Sequence, residues 1–245
     1  MSNLAEKYSS EMAEVAEAAR RLAERNYVAS HGGNLSYKVD DNVVLITPTK
    51  VEKRVMQPED IVIVSADGTE TLYAAEGRRP TGETPMHTRL LRKRPDLNAI
   101  VHAHPPALTG FSLLEDEILA RPILPEPALE VGPVRSVAYA EPITDALAAE
   151  FDRVLPYSNA WLMRNHGVTI GSSEGITRAM GFMDMLEAMA GSVATALSTG
   201  RPIAEIPREE VANLENTLST RNMPRPGDPR VIKSLMDLFF GENAG

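Results

Sequence analysis

The chain has 245 residues, 43% apolar and 24% charged, an ordinary globular composition with ample material for a core. A formal charge of −9 argues against nucleic acid or an anionic membrane as partner. The absence of cysteine excludes disulfides and thiolate metal sites, and the five histidines leave few candidates for an imidazole site.

Residues 3–25 read as an amphipathic helix, because Leu4, Tyr8, Met12, Val15, Ala19 and Leu22 recur in steps of three and four. Asn26 closes it. The helix begins close to Met1 and carries charges of both signs, so no signal peptide is expected. No apolar run approaches the ~20 residues of a membrane span. The expectation is a soluble cytoplasmic protein.

Next comes the glycine pair Gly32-Gly33 with Ser30, Asn34 and Ser36 around it. Such a loop either exposes amides to an anion or is simply a tight turn. Residues 35–39 alternate like a strand and 43–47 read as a second, the two forming a hairpin that turns at 40–42. The second ends in Thr47-Pro48-Thr49-Lys50, and two further strands are expected at 61–65 and 70–73. This first third is antiparallel β in character.

Residues 81–106, TGETPMHTRLLRKRPDLNAIVHAHPP, carry the strongest pattern. Thr81 or Gly82 can cap a helix running to about Arg94, with Pro85 in its first turn and Met86, Leu90 and Leu91 on one side. Glu83 lies at that helix start, where a carboxylate is favoured for structural reasons alone. His87, one turn on, reads as a structural or supporting histidine rather than a ligand. In the strand that follows, side chains repeat on one face every second residue, so His102 and His104 point the same way. Pro105 and Pro106 stop the strand. Two imidazoles and a carboxylate suit a divalent metal; the bland alternative is a pair bonded to backbone carbonyls.

Residues 107–117 read as helix, 119–131 as an irregular proline-rich segment, 134–139 as strand and 143–151 as helix. Strands at 160–163 and 168–171 flank a tight turn holding His166, a third imidazole beside the sheet. A long helix over 173–198, capped by Ser172 or Ser173, has one apolar strip through Met180, Met183 and Leu186 and a second through Phe182, Met185 and Met189. It is either a subunit contact or a central core helix. A helix over 209–220, a linker over 221–230 and a terminal helix over 231–240 complete the chain, with Phe239 and Phe240 docking on the body or a neighbour.

In order, Gly-Asn-x-Ser, Ile-Thr-Pro-Thr, Thr-Gly-Glu-Thr-Pro-x-His, Val-His-x-His-Pro and Asn-His-Gly resemble the class II aldolase/adducin family over roughly residues 5–200. The named members in view are fuculose-1-phosphate aldolase and ribulose-5-phosphate 4-epimerase. The resemblance implies an α/β fold, a three-layer α/β/α sandwich around a mostly antiparallel central sheet. It also implies a catalytic domain over 1–222, a linker and docking helix over 223–245, and a homotetramer. The implied metal ligands are His102, His104 and His166 around Zn2+, with Mn2+ or Co2+ as alternatives. Glu83 falls on the aldolases' catalytic glutamate, where epimerases usually carry aspartate. The phosphate pocket maps to Gly33, Asn34, Thr49, Lys50, Thr81 and Gly82.

The chain departs from that pattern in Thr49-Lys50 for Thr/Ser-Gly, in Thr81-Gly82 for paired serines, and in lacking a tyrosine over 124–131, where aldolases often carry a proton donor. An extra cation and fewer hydroxyls suit phosphate or carboxylate equally. The expected activity is therefore a zinc-dependent aldolase acting on a ketose phosphate or related hydroxy-ketone, a small-molecule substrate. A dehydratase like the methylthioribulose-phosphate enzymes, or a decarboxylase, is the alternative within the family. A non-catalytic adducin-like interaction domain is disfavoured by the intact histidines.

Overall fold

The computed structural model describes residues 3–241. Residues 1–2 and 242–245, the outer ends of the two expected regions, lie outside the described residues. The strands are β1 (Asn34–Asp40), β2 (Val43–Ile46), β3 (Val62–Ser65), β4 (Thr71–Tyr73), β5 (Ala99–Ala103), β6 (Val134–Val137), β7 (Ala160–Met163) and β8 (Gly167–Ser172). They form one sheet in the order β4-β3-β2-β1-β5-β8-β7-β6. Only β6 and β7 pair in parallel; every other neighbour is antiparallel.

Both faces of this sheet are buried, so successive strand residues feed opposite cores. Leu45, Ile63, Val101 and Leu162 join the first core, with α2 (Ser9–Glu24), α4 (Pro106–Ser112) and α7 (Ile176–Leu197) above it. Their neighbours Val44, Ile46, Val62, Ile100 and Trp161 join the second, under α3 (Thr84–Lys93) and α6 (Asp145–Glu150). Helices on both faces of a mostly antiparallel sheet make the expected three-layer sandwich. A third cluster joins α5 (Pro125–Glu130), α8 (Arg208–Arg221) and α9 (Leu235–Phe240) through Leu129, Val211, Leu218, Leu235 and Phe239.

Element boundaries moved where a cap or turn competed with periodicity. The first helix divides at Tyr8 into α1 (Asn3–Lys7) and α2, Tyr8 being buried with its hydroxyl 3.2 Å from Asp40. The expected helix over 107–117 ends at Ser112, beyond which Leu113 is 62% exposed and has no face to bury. The proline-rich segment contains α5, since Pro125 occupies a first-turn position whose N–H would be unpaired anyway. Thr144 caps α6 by accepting from Leu147 N at 3.2 Å, and Ser234 caps α9 by accepting from Asp237 N at 3.0 Å, so both helices start later than expected. Neither Ser172 nor Ser173 caps α7: Gly175, at φ 89°, is its N-cap. Both apolar strips of α7 are largely buried within this one chain, with Met185 half-buried and Leu197 exposed at the helix end, so most of its burial needs no second subunit.

Antiparallel pairing sets the site at one end of the sheet. Asn34, the first residue of β1, stands opposite His102 near the end of β5, and His102 stands opposite Thr169 on β8. Thr81 N donates to Thr47 O at 3.1 Å and Thr49 N to Arg79 O at 3.0 Å, which draws the exit of β2 against the entry to α3.

Candidate metal centre and its cavity

Gly33 shows why the glycine loop is glycine. It sits at φ +67°, and a Cβ there would lie 2.6 Å from Val28 Cγ1 and 2.9 Å from the His102 carbonyl oxygen. The loop thus presses directly onto the strand that carries the histidines.

His102 is 1% exposed, and its Nδ1 donates to the Val168 carbonyl at 3.0 Å. That bond leaves Nε2 with the free lone pair. His104 lies just beyond β5, its backbone N held by the Tyr27 carbonyl at 2.8 Å. Glu187, from α7, accepts from Ala107 N and Leu108 N at 2.8 and 2.9 Å and so anchors the helix start that follows His104. His166 follows Asn165, which takes φ 55° in the turn between β7 and β8. The three rings have centroids 4.8 to 5.2 Å apart, and one ligand atom from each lies within 4.8 Å of the others.

The donor set fits a divalent ion. The Nε2 atoms of His102 and His104 are 3.2 Å apart. Two zinc–nitrogen bonds of normal length at a tetrahedral angle require about 3.3 Å. Burial first, then the neighbouring imidazoles, holds His102 well below the usual imidazole range; burial and His166 lower His104. Both rings are therefore neutral at neutral pH, the form that a metal ion requires.

Glu83 is 6% exposed, with Oε2 3.6 Å from His102 Nε2 and Oε1 4.0 Å from His166 Nε2. It is itself the N-cap position of α3, in place of the expected Thr81 or Gly82, and makes no side-chain cap; Thr81 Oγ1 instead accepts from Glu83 N at 3.4 Å. Its side chain is thus free to face the histidines, and Asn34 Nδ2 donates to Oε2 at 2.8 Å. His87 is fully buried behind Asn34, between it and Ser36, as a supporting residue rather than part of the triad.

Gly33, Asn34, Thr49, Lys50, Thr81, Gly82, Glu83, His102, His104 and His166 all line one cavity of about 220 Å³. Sequence reasoning missed His31, Pro142 and Ile143 on its wall. His31 had a signal, since it adjoins the glycine pair. Ile143 had none: it takes φ 66°, which β-branched residues rarely adopt. Lys50, at φ 59°, and Ile143 both line the cavity, so backbone strain gathers there. All five histidines belong to the site: three in the triad, His87 behind it and His31 on the wall.

Comparison with known proteins agrees with this geometry. The Class II Aldolase and Adducin N-terminal domain family matches residues 13–193. The chain is 30% identical over 200 residues to the 3-oxo-tetronate 4-phosphate decarboxylase of Haemophilus influenzae, covering 80% of this chain and 92% of that one. It is 32% identical over 208 residues to the 5-deoxy-D-ribulose 1-phosphate aldolase of Bacillus thuringiensis serovar kurstaki, covering 83% and 93%. An L-fuculose 1-phosphate aldolase structure superposes with a TM-score of 0.77 at 25% identity, covering 86% of this chain and 96% of that one. Motif order, sheet and histidine triad thus converge with the match over most of its length, and this chain belongs to the class II aldolase/adducin N-terminal domain family.

Proposed function

We propose that this protein is a zinc-dependent carbon–carbon lyase acting on a phosphorylated hydroxy-ketone, with Glu83 as its acid/base. The observation that carries the reading is the Glu83 carboxylate, buried and 3.6 and 4.0 Å from two members of the histidine triad. His102, His104 and His166 would hold the ion, Zn2+ or else Mn2+ or Co2+, which supplies Lewis-acid charge where the substrate carbonyl becomes negative.

The chain's residues do the rest. Gly33, Asn34, Thr49, Lys50, Thr81 and Gly82 bind the substrate's far anion and fix its orientation. In a ketose 1-phosphate the bond between C3 and C4 breaks, C4 leaves as an aldehyde, and the electron pair stays on C3 beside the carbonyl. In a 3-oxo acid 4-phosphate the bond to the carboxylate breaks, CO2 leaves, and the pair stays on the equivalent carbon. For a 3-oxo-tetronate both routes leave the same enediolate, that of dihydroxyacetone phosphate. Glu83 takes up the proton that the C4 hydroxyl loses in the first route, or one from solvent in the second, and gives it to that carbon.

Aldol cleavage is the primary reading. Decarboxylation is the second, favoured by His31 on the cavity wall, a donor for a substrate carboxylate, and by the absence of tyrosine from α5. The test is to incubate zinc-loaded protein with dihydroxyacetone phosphate in D2O, and with ketose 1-phosphates and 3-oxo acid 4-phosphates, identifying products by mass. Exchange at the hydroxymethyl carbon together with aldehyde or CO2 release is expected. No exchange and no cleavage across the panel would overturn the reading.

A further inference from the structure

Asn34 is engaged at both ends of its side chain. Nδ2 donates to Glu83 Oε2 at 2.8 Å, Oδ1 meets His87 Nε2, and His87 Nδ1 meets Ser36 Oγ at 2.7 Å. Ser36 and His87 are 0% exposed, Glu83 6% and Asn34 7%. The chain of contacts has a structural cause. Asn34 and Ser36 are two apart on β1 and so share a face. Glu83 and His87 are one turn apart at the start of α3. A strand pair spaced about 6.8 Å then meets a helix pair spaced about 6 Å, rung against rung.

One end decides the direction of every proton. A carboxylate only accepts, so the amide nitrogen of Asn34 faces Glu83 and its oxygen faces His87. His87 must then carry its proton on Nε2, its Nδ1 is bare, and the Ser36 hydroxyl donates to it. Such a link needs a neutral ring, and burial keeps His87 neutral by lowering its pKa to about 3. No polar atom of the Ser36, His87, Asn34 and Glu83 side chains is left buried without a partner.

We propose that Ser36, His87 and Asn34 form a positioning relay that occupies Glu83 Oε2 and leaves Oε1 as the oxygen that exchanges the proton. The proposal rests on the reading of Glu83 as acid/base. Asn34 also lines the cavity, so Ser36 and His87 are the members that act purely through another residue.

The first test needs no substrate. In protein labelled with 15N-histidine, the His87 resonances, assigned by their loss in His87→Gln, are expected to show the Nε2–H tautomer at pH 7. An Nδ1–H tautomer or an imidazolium overturns the relay. The second uses deuterium exchange of dihydroxyacetone phosphate in zinc-loaded protein. His87→Leu is expected to slow exchange about 10- to 100-fold with zinc content and phosphate affinity unchanged. His87→Gln should recover much of the rate, because its amide still donates towards Asn34. In the Glu83→Gln background His87→Leu should bring no further loss. Equal rates in His87→Leu and wild type, or independent losses in the double variant, overturn the relay while leaving Glu83 in place. Full exchange in Glu83→Gln overturns the acid/base reading itself. Ser36→Ala, which removes one hydroxyl, serves as the milder probe should His87→Leu fail to fold: a slower exchange with zinc retained is expected, and an unchanged rate counts against the relay.

Discussion

Gly167 backs directly onto His104: a Cβ at Gly167 would lie 2.5 Å from His104 Cδ2 and 2.5 Å from the Ala103 carbonyl oxygen. One hydrogen in place of a methyl group is what lets the His166 turn and the His-x-His strand close on each other. Gly167→Ala is therefore expected to displace the His104 ring and lower zinc occupancy, with a stability loss of about 1–3 kcal/mol from overpacking. Gly110, in α4, is the control, since nothing lies within 4 Å of its Cβ position. Gly110→Ala should keep zinc and gain up to about 1 kcal/mol from helix propensity. Metal analysis and urea unfolding of the two variants read the contrast.

Each triad histidine is expected to matter for the ion rather than the fold. His102→Ala, His104→Ala and His166→Ala should each lower zinc content of the purified protein, and turnover with it. Full zinc occupancy in all three single variants would remove the triad as the binding site.

Glu83 should separate chemistry from metal binding. Glu83→Gln keeps the side chain's size and its place near Asn34, and three imidazoles remain for the ion. Turnover is expected to fall about 10²- to 10⁴-fold with zinc largely retained. Near-normal turnover in a folded, zinc-loaded variant would reduce Glu83 to a helix-start carboxylate.

Acid should destabilise the metal-free protein through its buried imidazoles. His87 is lowered from 6.5 to about 3 because burial disfavours the charged ring, and burial moves His102 and His104 the same way. Below about 6.5 the unfolded chain takes up protons that the fold refuses, so stability falls as pH drops towards 3 and is recovered above 6.5. Each such histidine contributes a slope of about 1.4 kcal/mol per pH unit inside its window. Urea midpoints measured at pH 7, 6 and 5 should fall less steeply in metal-free His87→Gln than in metal-free wild type. Parallel slopes would show that His87 does not titrate on unfolding.

Much of this architecture could be read locally. The near-continuous apolar runs in residues 43–46, 62–65 and 99–103 mark strands buried on both faces, and the two-residue strand period puts His102 and Ile100 on one side with Val101 on the other. The ordered motifs named the family, and the residues they single out line one cavity. Helix ends were less legible, because Thr144, Ser234 and Gly175 won the caps through hydrogen bonds and a positive φ that periodicity does not encode.

What only the tertiary structure decided is how the histidines stand relative to one another, since they come from segments far apart in the chain. The pairing of β1 with β5 and of β5 with β8 sets Asn34 and Thr169 on either side of His102. That non-local register brings His166 to the His102–His104 pair and turns His87 towards Asn34 instead. The same closure puts His31 and Ile143, from segments far apart in the chain, on one cavity wall. Sequence patterning determines the face a side chain takes, a property of its own few residues. The distance between two such faces depends on hydrogen bonds between distant strands, and no local period carries it.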